Sequence, residues 1–213
     1  MLEWGIKNVF TVTVDNASSN DTAIGYFKKK LLSWGASSVR VQYLHMRCIA
    51  HILNLIVIDG LKEVNASVKK VREAIRYIRN STQRLKKFID ISDLFEIQCK
   101  SSLSLDTPTR WNSTYTMLET ACCYEKAFDK YDDTESSSRA DLGDKILDYF
   151  DWECCRQMVA MLKIFYDTTM RIFGSLYVTS NAFLFEISDL NYMLNQLHSS
   201  SDLSIINMGN NMR

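Results

Sequence analysis

Apolar positions along the chain follow two rhythms. Residues 9–14 read Val-Phe-Thr-Val-Thr-Val and stop at the polar cluster Asp15-Asn-Ala-Ser-Ser-Asn20. This β-branched, alternating run predicts a strand that ends in a turn. Behind it Ile24, Phe27 and Leu31 recur at i, i+3 and i+7, so a helix capped by Ser19 or Asn20 follows. After Gly35, residues 39–44 or 44–48 can form a second short strand. From residue 49 to 61 the chain is apolar on nearly every side, the signature of a helix packed between other elements.

Beyond residue 62 the period is helical. Val64, Val68, Val71, Ile75 and Ile78 recur at spacings of 4, 3, 4 and 3, and Lys69, Arg72, Arg76 and Arg79 keep the same spacing one residue later. The basic residues therefore form a stripe beside the apolar seam. Two more seams run through Met158, Leu162, Phe165, Thr169 and Ile172, and through Phe183, Ile187, Leu190, Leu194 and Leu197. Past residue 198 the chain has no period and is expected to fray.

The pattern divides the chain into 1–62, an α/β portion, 63–198, a helical portion, and a disordered tail, 199–213. The fold class is mostly α with a small β component. Seven glycines and one proline in 213 residues interrupt helices rarely, which agrees with this division.

Charge sharpens the picture. Lys+Arg and Asp+Glu number 25 each, yet residues 62–87 hold nine basic and two acidic side chains, and residues 129–153 hold nine acidic and three basic. The first segment reads as a surface for phosphates or an acidic partner, the second as an exposed loop. No stretch free of Asp, Glu, Lys and Arg, residues 48–58 included, is long enough for a membrane span, which needs about 18 apolar residues. No membrane partner is expected. The first residues lack a basic-then-apolar leader, and the vicinal pairs Cys122-Cys123 and Cys154-Cys155 do not form a spaced disulfide framework. A reducing, intracellular setting with free thiols is expected.

Three stretches could carry chemistry. Asp15 ends a strand, where a carboxylate can face a ligand at the sheet's carboxyl edge or simply cap the turn. Cys48 and His51, in Arg47-Cys-Ile-Ala-His51, could form part of a zinc site, a hydrogen-bonded core pair or a contact to nucleic acid. No second Cys/His pair completes a zinc tetrad. In Asp106-Thr-Pro-Thr-Arg-Trp111 the only proline holds an extended approach to a helix beginning near Asn112. Arg110 and Trp111 could contact a phosphate and stack on a base, or Trp111 could be core.

Taken together and in this order, residues 10–21, residues 47–55 with Asp59-Gly60-Leu61, and residues 104–114 resemble the transposase core of the hAT superfamily, in its RICESLEEPER-like branch with zinc finger BED proteins. The resemblance covers about residues 1–198. It implies a partial RNase H-like α/β core plus an all-helical insertion, a nuclear location, DNA as partner, and three acids binding divalent metal. Asp15 matches the second acid, Cys48 and His51 a motif near the active site, and Trp111 a residue that stabilises a flipped base. Only one of the three acids is found, so the resemblance implies a truncated, DNA-binding and catalytically inactive protein that holds Mg²⁺ weakly if at all. No cofactor is expected, with Mg²⁺ or Mn²⁺ entering only a completed site. The DNA-binding set is Cys48, His51, Arg110, Trp111, Lys69, Arg72, Arg76 and Arg79. Two other functions fit these residues: a metal-dependent DNA transposase or nuclease completed by missing segments or by another transposase-like chain, and a helical interaction module in which the basic and acidic segments satisfy each other.

Overall fold

A computed structural model describes residues 5–35, 41–62, 65–99, 101–173, 183–197 and 203–212. Val39, Val64 and the Thr179-Ser-Asn stretch lie outside them. The chain forms two compact units, Met1–Leu55 and Ile56–Arg213.

The first unit contains the β component. Strand β1 (Val12–Val14) and strand β2 (His45–Arg47) pair in parallel, with Val12 opposite His45 and Val14 opposite Arg47. Parallel neighbours need a crossover, and α1 (Ser18–Trp34) supplies it. The ladder closes through the N–H of Val12 donating to Leu44 O at 2.8 Å and that of Cys48 donating to Val14 O at 3.1 Å. Helix α1 starts before the expected cap and ends at Gly35, whose φ of 60° is the left-handed conformation that a Cβ disfavours. Ile24, Leu31, Leu44 and Leu53 are buried. Helix α2 (Ile49–Leu61) has the expected bounds, and the division between units falls within it. It is less enclosed than its composition suggests, since Leu55 is 45% exposed.

The regular elements described in the second unit are helices, among them α3 (Asn65–Arg79), α4 (Thr82–Leu94), α5 (Trp111–Cys123), α6 (Glu125–Thr134), α7 (Ser136–Leu142), α8 (Tyr149–Ile172), α9 (Phe183–Leu197) and α10 (Leu203–Asn211). Val68, Val71, Ile75 and Ile78, the apolar seam of α3, are buried. Phe88 on α4 is ringed by Tyr124, Phe128 and Tyr131 at centroid distances of 5.8, 4.8 and 6.0 Å, and Phe128 meets Trp152 of α8 at 5.5 Å. Burying a ring such as that of Phe88 stabilises by about 1.5–3 kcal/mol.

Three expectations need correction. Helix α4 had no predicted counterpart, although Ser81 caps it by accepting from the Arg84 N–H. The acidic stretch 129–153 is not a loop. Helices α6, α7 and the start of α8 cover most of it because Phe128, Tyr131 and Trp152 face inward, and Asp148 and Asp151 form a reciprocal capping box at the start of α8. The tail contains α10, whose Met208 is buried, and the neighbouring Met212 is buried against Gly60. A Cβ at Gly60 would occupy the place that the Met212 side chain takes.

Candidate nucleic-acid interface and strand-edge site

At the carboxyl edge of the sheet, Asp15 and Cys48 are the next residues on the paired strands after Val14 and Arg47. The Asp15 carboxylate accepts the Ala17 N–H at 3.1 Å and the Asn20 side-chain amide, which also donates to the Asp15 carbonyl. This is turn chemistry, in which an aspartate ties down the backbone two residues on. Asn16 Oδ1, beside it, is buried and has no hydrogen-bond partner among the described residues. Cys48 is half-buried immediately before α2, and His51 is half-buried in its first turn. Among the described residues no group of three or more His, Cys, Asp or Glu side chains could hold a metal ion. One carboxylate that already accepts two hydrogen bonds does not fit Mg²⁺, which demands near-octahedral oxygen ligands. A structural zinc tetrad also lacks its ligands here.

The basic stripe of α3 separates into members with different tasks. Arg72 is built into the interior: its Nε and Nη2 donate to the two carboxylate oxygens of Asp106, each at 2.7 Å, and the Asp106 side chain has no exposure. Thr114 Oγ1 also donates to Asp106, at 2.8 Å. Burial alone would raise the Asp106 pKa, but the hydrogen bonds from Arg72 and Thr114 and the Arg72 charge hold it below its ordinary value. Arg76 pairs with Glu73, and the Arg79 guanidinium donates to the Leu103 carbonyl. Lys69 is exposed with no acidic partner among the described residues. It lies with Lys62, Arg72, Pro108 and Thr114 around an open cleft of about 230 Å³.

The basic and acidic segments meet across the helical unit. Lys70 pairs with Asp151 at 2.6 Å, Lys87 with Glu135 at 2.8 Å, Arg84 with Asp141 at 3.6 Å and Lys145 with Glu73 at 3.7 Å. The hydrogen bond to Asp151 raises the Lys70 pKa against the opposing effect of burial. Of the face expected on α3, Arg72 is taken up by internal charge pairing and Arg76 by a neighbour on its own helix, while Lys69 stays without an acidic partner among the described residues.

Trp111 needs a similar correction. It opens α5 but is only 3% exposed and packs edge-on against Phe165 of α8, with centroids 6.4 Å apart. Its ring belongs to the α5/α8 core and offers no free face for a base. Arg110, just before it, is exposed. The surrounding motif works as an anchor. Ser113 Oγ accepts the Thr107 N–H at 2.8 Å, and Asp106 ties the segment to α3. Sequence reasoning quoted Asp106 without giving it a role. The signal available was an aspartate before the proline in a chain with an unmatched arginine seam.

The six cysteines form no disulfide, and burial pushes the Cys122 and Cys123 thiols up to about 11. They remain protonated at neutral pH, which suits packing better than nucleophilic or metal chemistry. No helix among the described residues is long and apolar enough to cross a membrane.

A family model described as the ZBED1 RNase-like helical domain matches residues 46–160, more than half of the chain. The chain belongs to this family. The helices from α2 into α8, with Cys48, His51, Asp106 and Trp111, are thus those of a ZBED1 RNase-like helical domain. Beyond it, the chain is 30% identical over 209 residues to the zinc finger BED domain-containing proteins RICESLEEPER 2 and RICESLEEPER 1 of Oryza sativa subsp. japonica, covering 94% of this chain and 27% of each relative. It is 29% identical over 195 residues to the "Putative AC transposase" of Zea mays, covering 89% of this chain and 24% of that protein. The chain therefore spans about a quarter of the length of these relatives. They bear out the hAT transposase resemblance read from the three motifs, and the mostly helical fold with its two-stranded sheet agrees with the domain family.

Proposed function

We propose that this ZBED1-type domain is a transposase-derived, nuclear DNA-binding segment that does not itself cut DNA. The observation that carries the reading is the distribution of unmatched positive charge. All the ion pairs among the described residues lie between residues 59 and 186. Residues 1–55 hold six Lys/Arg against three Asp/Glu, and their described cations, Lys7, Lys28, Lys29, Lys30 and Arg47, join none of these pairs. Lys69 and Arg110 add exposed positive charge in the helical unit. Cations without acidic partners attract phosphates, and their contacts release counterions from DNA.

The donor set supports the non-cutting reading. Asp15 is the acid matched to the family's catalytic three, and its carboxylate is engaged in the turn. Two-metal phosphoryl transfer needs several carboxylates around adjacent ions.

The test is anisotropy with labelled duplex, hairpin and single-stranded DNA at about 50 mM salt, repeated at rising salt, beside incubation with Mg²⁺ or Mn²⁺. The expected result is affinity for at least one form, falling steeply with salt, with no strand scission. No affinity for any form refutes DNA binding. Scission lost in Asp15→Asn refutes the non-cutting reading.

The charge pairing favours a second role for the helical unit. Lys70, Arg84 and Lys87 are held by acids far along the chain, which suits a scaffold that presents other surfaces.

A further inference from the structure

Helix α1 carries an exposed ridge that the DNA-binding reading leaves unspecified. Its inward side is set by Ile24 and Leu31, both buried. On the other side Tyr26, Lys30 and Trp34 follow one another at i, i+4 and i+8 and so stand in one row. Tyr26 is 64% and Trp34 55% exposed, well above what large aromatic rings usually show. Lys30 Nζ sits over the Tyr26 ring at 5.7 Å from its centroid, and Lys29 is exposed beside it. None of Lys28, Lys29 and Lys30 joins an ion pair among the described residues.

Resting on the DNA-binding reading, we propose that this ridge is a stacking platform for single-stranded DNA. Tyr26 and Trp34 receive unpaired bases, and Lys29 and Lys30 hold the backbone phosphates. The two rings are eight residues apart, about 12 Å along the helix axis, so they engage separate bases with Lys30 between them. Each feature matches the ligand. Aromatic faces stack on any base, lysines follow the backbone, and the pairing of the two is the recurring chemistry of single-strand binding. A duplex keeps its bases stacked on each other and offers this row only its phosphates, so the rings add affinity for the single strand alone. The buried Trp111 cannot serve in this way, whereas Trp34 can.

The experiment uses the full 213-residue chain and a labelled oligothymidylate of about 20 nucleotides, with a duplex of equal length in parallel. Because the ridge faces solvent, Tyr26→Ala/Trp34→Ala should leave the circular dichroism spectrum and thermal midpoint in place. Its single-strand affinity should fall tenfold or more, and its duplex affinity less than twofold. Lys29→Ala/Lys30→Ala should weaken both and lower the slope of log affinity against log salt by about two. As a second readout, oligothymidylate should quench the chain's tryptophan fluorescence, and Trp34→Phe should remove most of that quenching. Equal loss for both DNA forms, or unchanged single-strand affinity in the aromatic double variant while duplex binding persists, overturns the platform and leaves the DNA-binding reading standing. Absence of binding to every form overturns both.

Discussion

The two units handle charge and aromatic side chains differently. In residues 56–213 many lysines and arginines are matched to acids, with Lys69 and Arg110 among the exceptions, and the large rings Phe88, Phe128, Trp111, Trp152 and Phe165 form a buried set, while Tyr149, Phe150, Phe185 and Tyr192 stay exposed. In residues 1–55 the described lysines have no such matches, and Phe10, Tyr26, Trp34 and Tyr43 are exposed. A side chain matched within the fold is removed from the surface a partner can read. The segment with the strongest local charge is consequently not the segment with the most available charge.

The sharpest way to break this contrast is at Trp111. Trp111→Ala should destabilise the chain by about 3–5 kcal/mol in urea unfolding, the usual cost of emptying an aromatic site in a core. A variant that keeps its stability but loses DNA affinity would return Trp111 to the surface role that its motif suggests.

Asp106→Ala should come next, at about 3–5 kcal/mol, because it leaves the largely buried Arg72 guanidinium without a counter-ion and frees the Thr114 hydroxyl. The same carboxylate gives a pH signature. Its pKa is lower in the fold than in the unfolded chain, so its contribution is complete above the ordinary aspartate value and is lost as pH falls through the depressed folded value. Asp151, also held low by Lys70 and Ser67 against its burial, behaves in the same sense. Unfolding midpoints measured from pH 6 downward should fall as the pH drops past the ordinary aspartate range, and Asp106→Asn should flatten part of that fall.

Smaller effects sharpen the comparison. Charge reversal at Arg72 should destabilise strongly, whereas Arg76→Glu should cost no more than about 1 kcal/mol, because Arg76 is itself partly exposed and its half-buried partner is a neighbour on the same helix. Similar losses at the two positions would mean that both are equally built in. The exposed Lys87 to Glu135 pair should register least, at about 0–1 kcal/mol for Lys87→Ala.

What the sequence disclosed follows from the range of the interactions involved. Helix α2 has the bounds its apolar run predicts, and the α3 seam is buried because i, i+3, i+4 periodicity is a local property. The family was legible because three motifs kept their order. The fate of the basic stripe was not, since Lys70 meets Asp151 and Arg72 meets Asp106 across 81 and 34 residues, and net charge in a window says nothing of such partners. The role of Trp111 stayed open for the same reason: its motif allowed either a stacking platform or a core ring, while Phe165, 54 positions away in the sequence, determined its burial. Asp15 was ambiguous from its spacing, and the hydrogen bonds from Ala17 and Asn20 show the turn role. Acidic residues 129–153 looked like a loop because charge masked the inward spacing of Phe128 and Tyr131. The α1 ridge went unread because the outward face of an amphipathic helix carries no periodic signal of its own.

The seat that Gly60 leaves for Met212 makes the C-terminal helix chemically observable. The Met212 thioether is almost fully shielded from water, so peroxide reaches its sulfur only when α10 lifts away. Once oxidised, a bulkier and polar sulfoxide would no longer fit against the bare backbone. The rate at which this methionine gains an oxygen, followed by mass spectrometry, is thus a clock for how often the chain end detaches, and sulfoxide reduction should restore the seat.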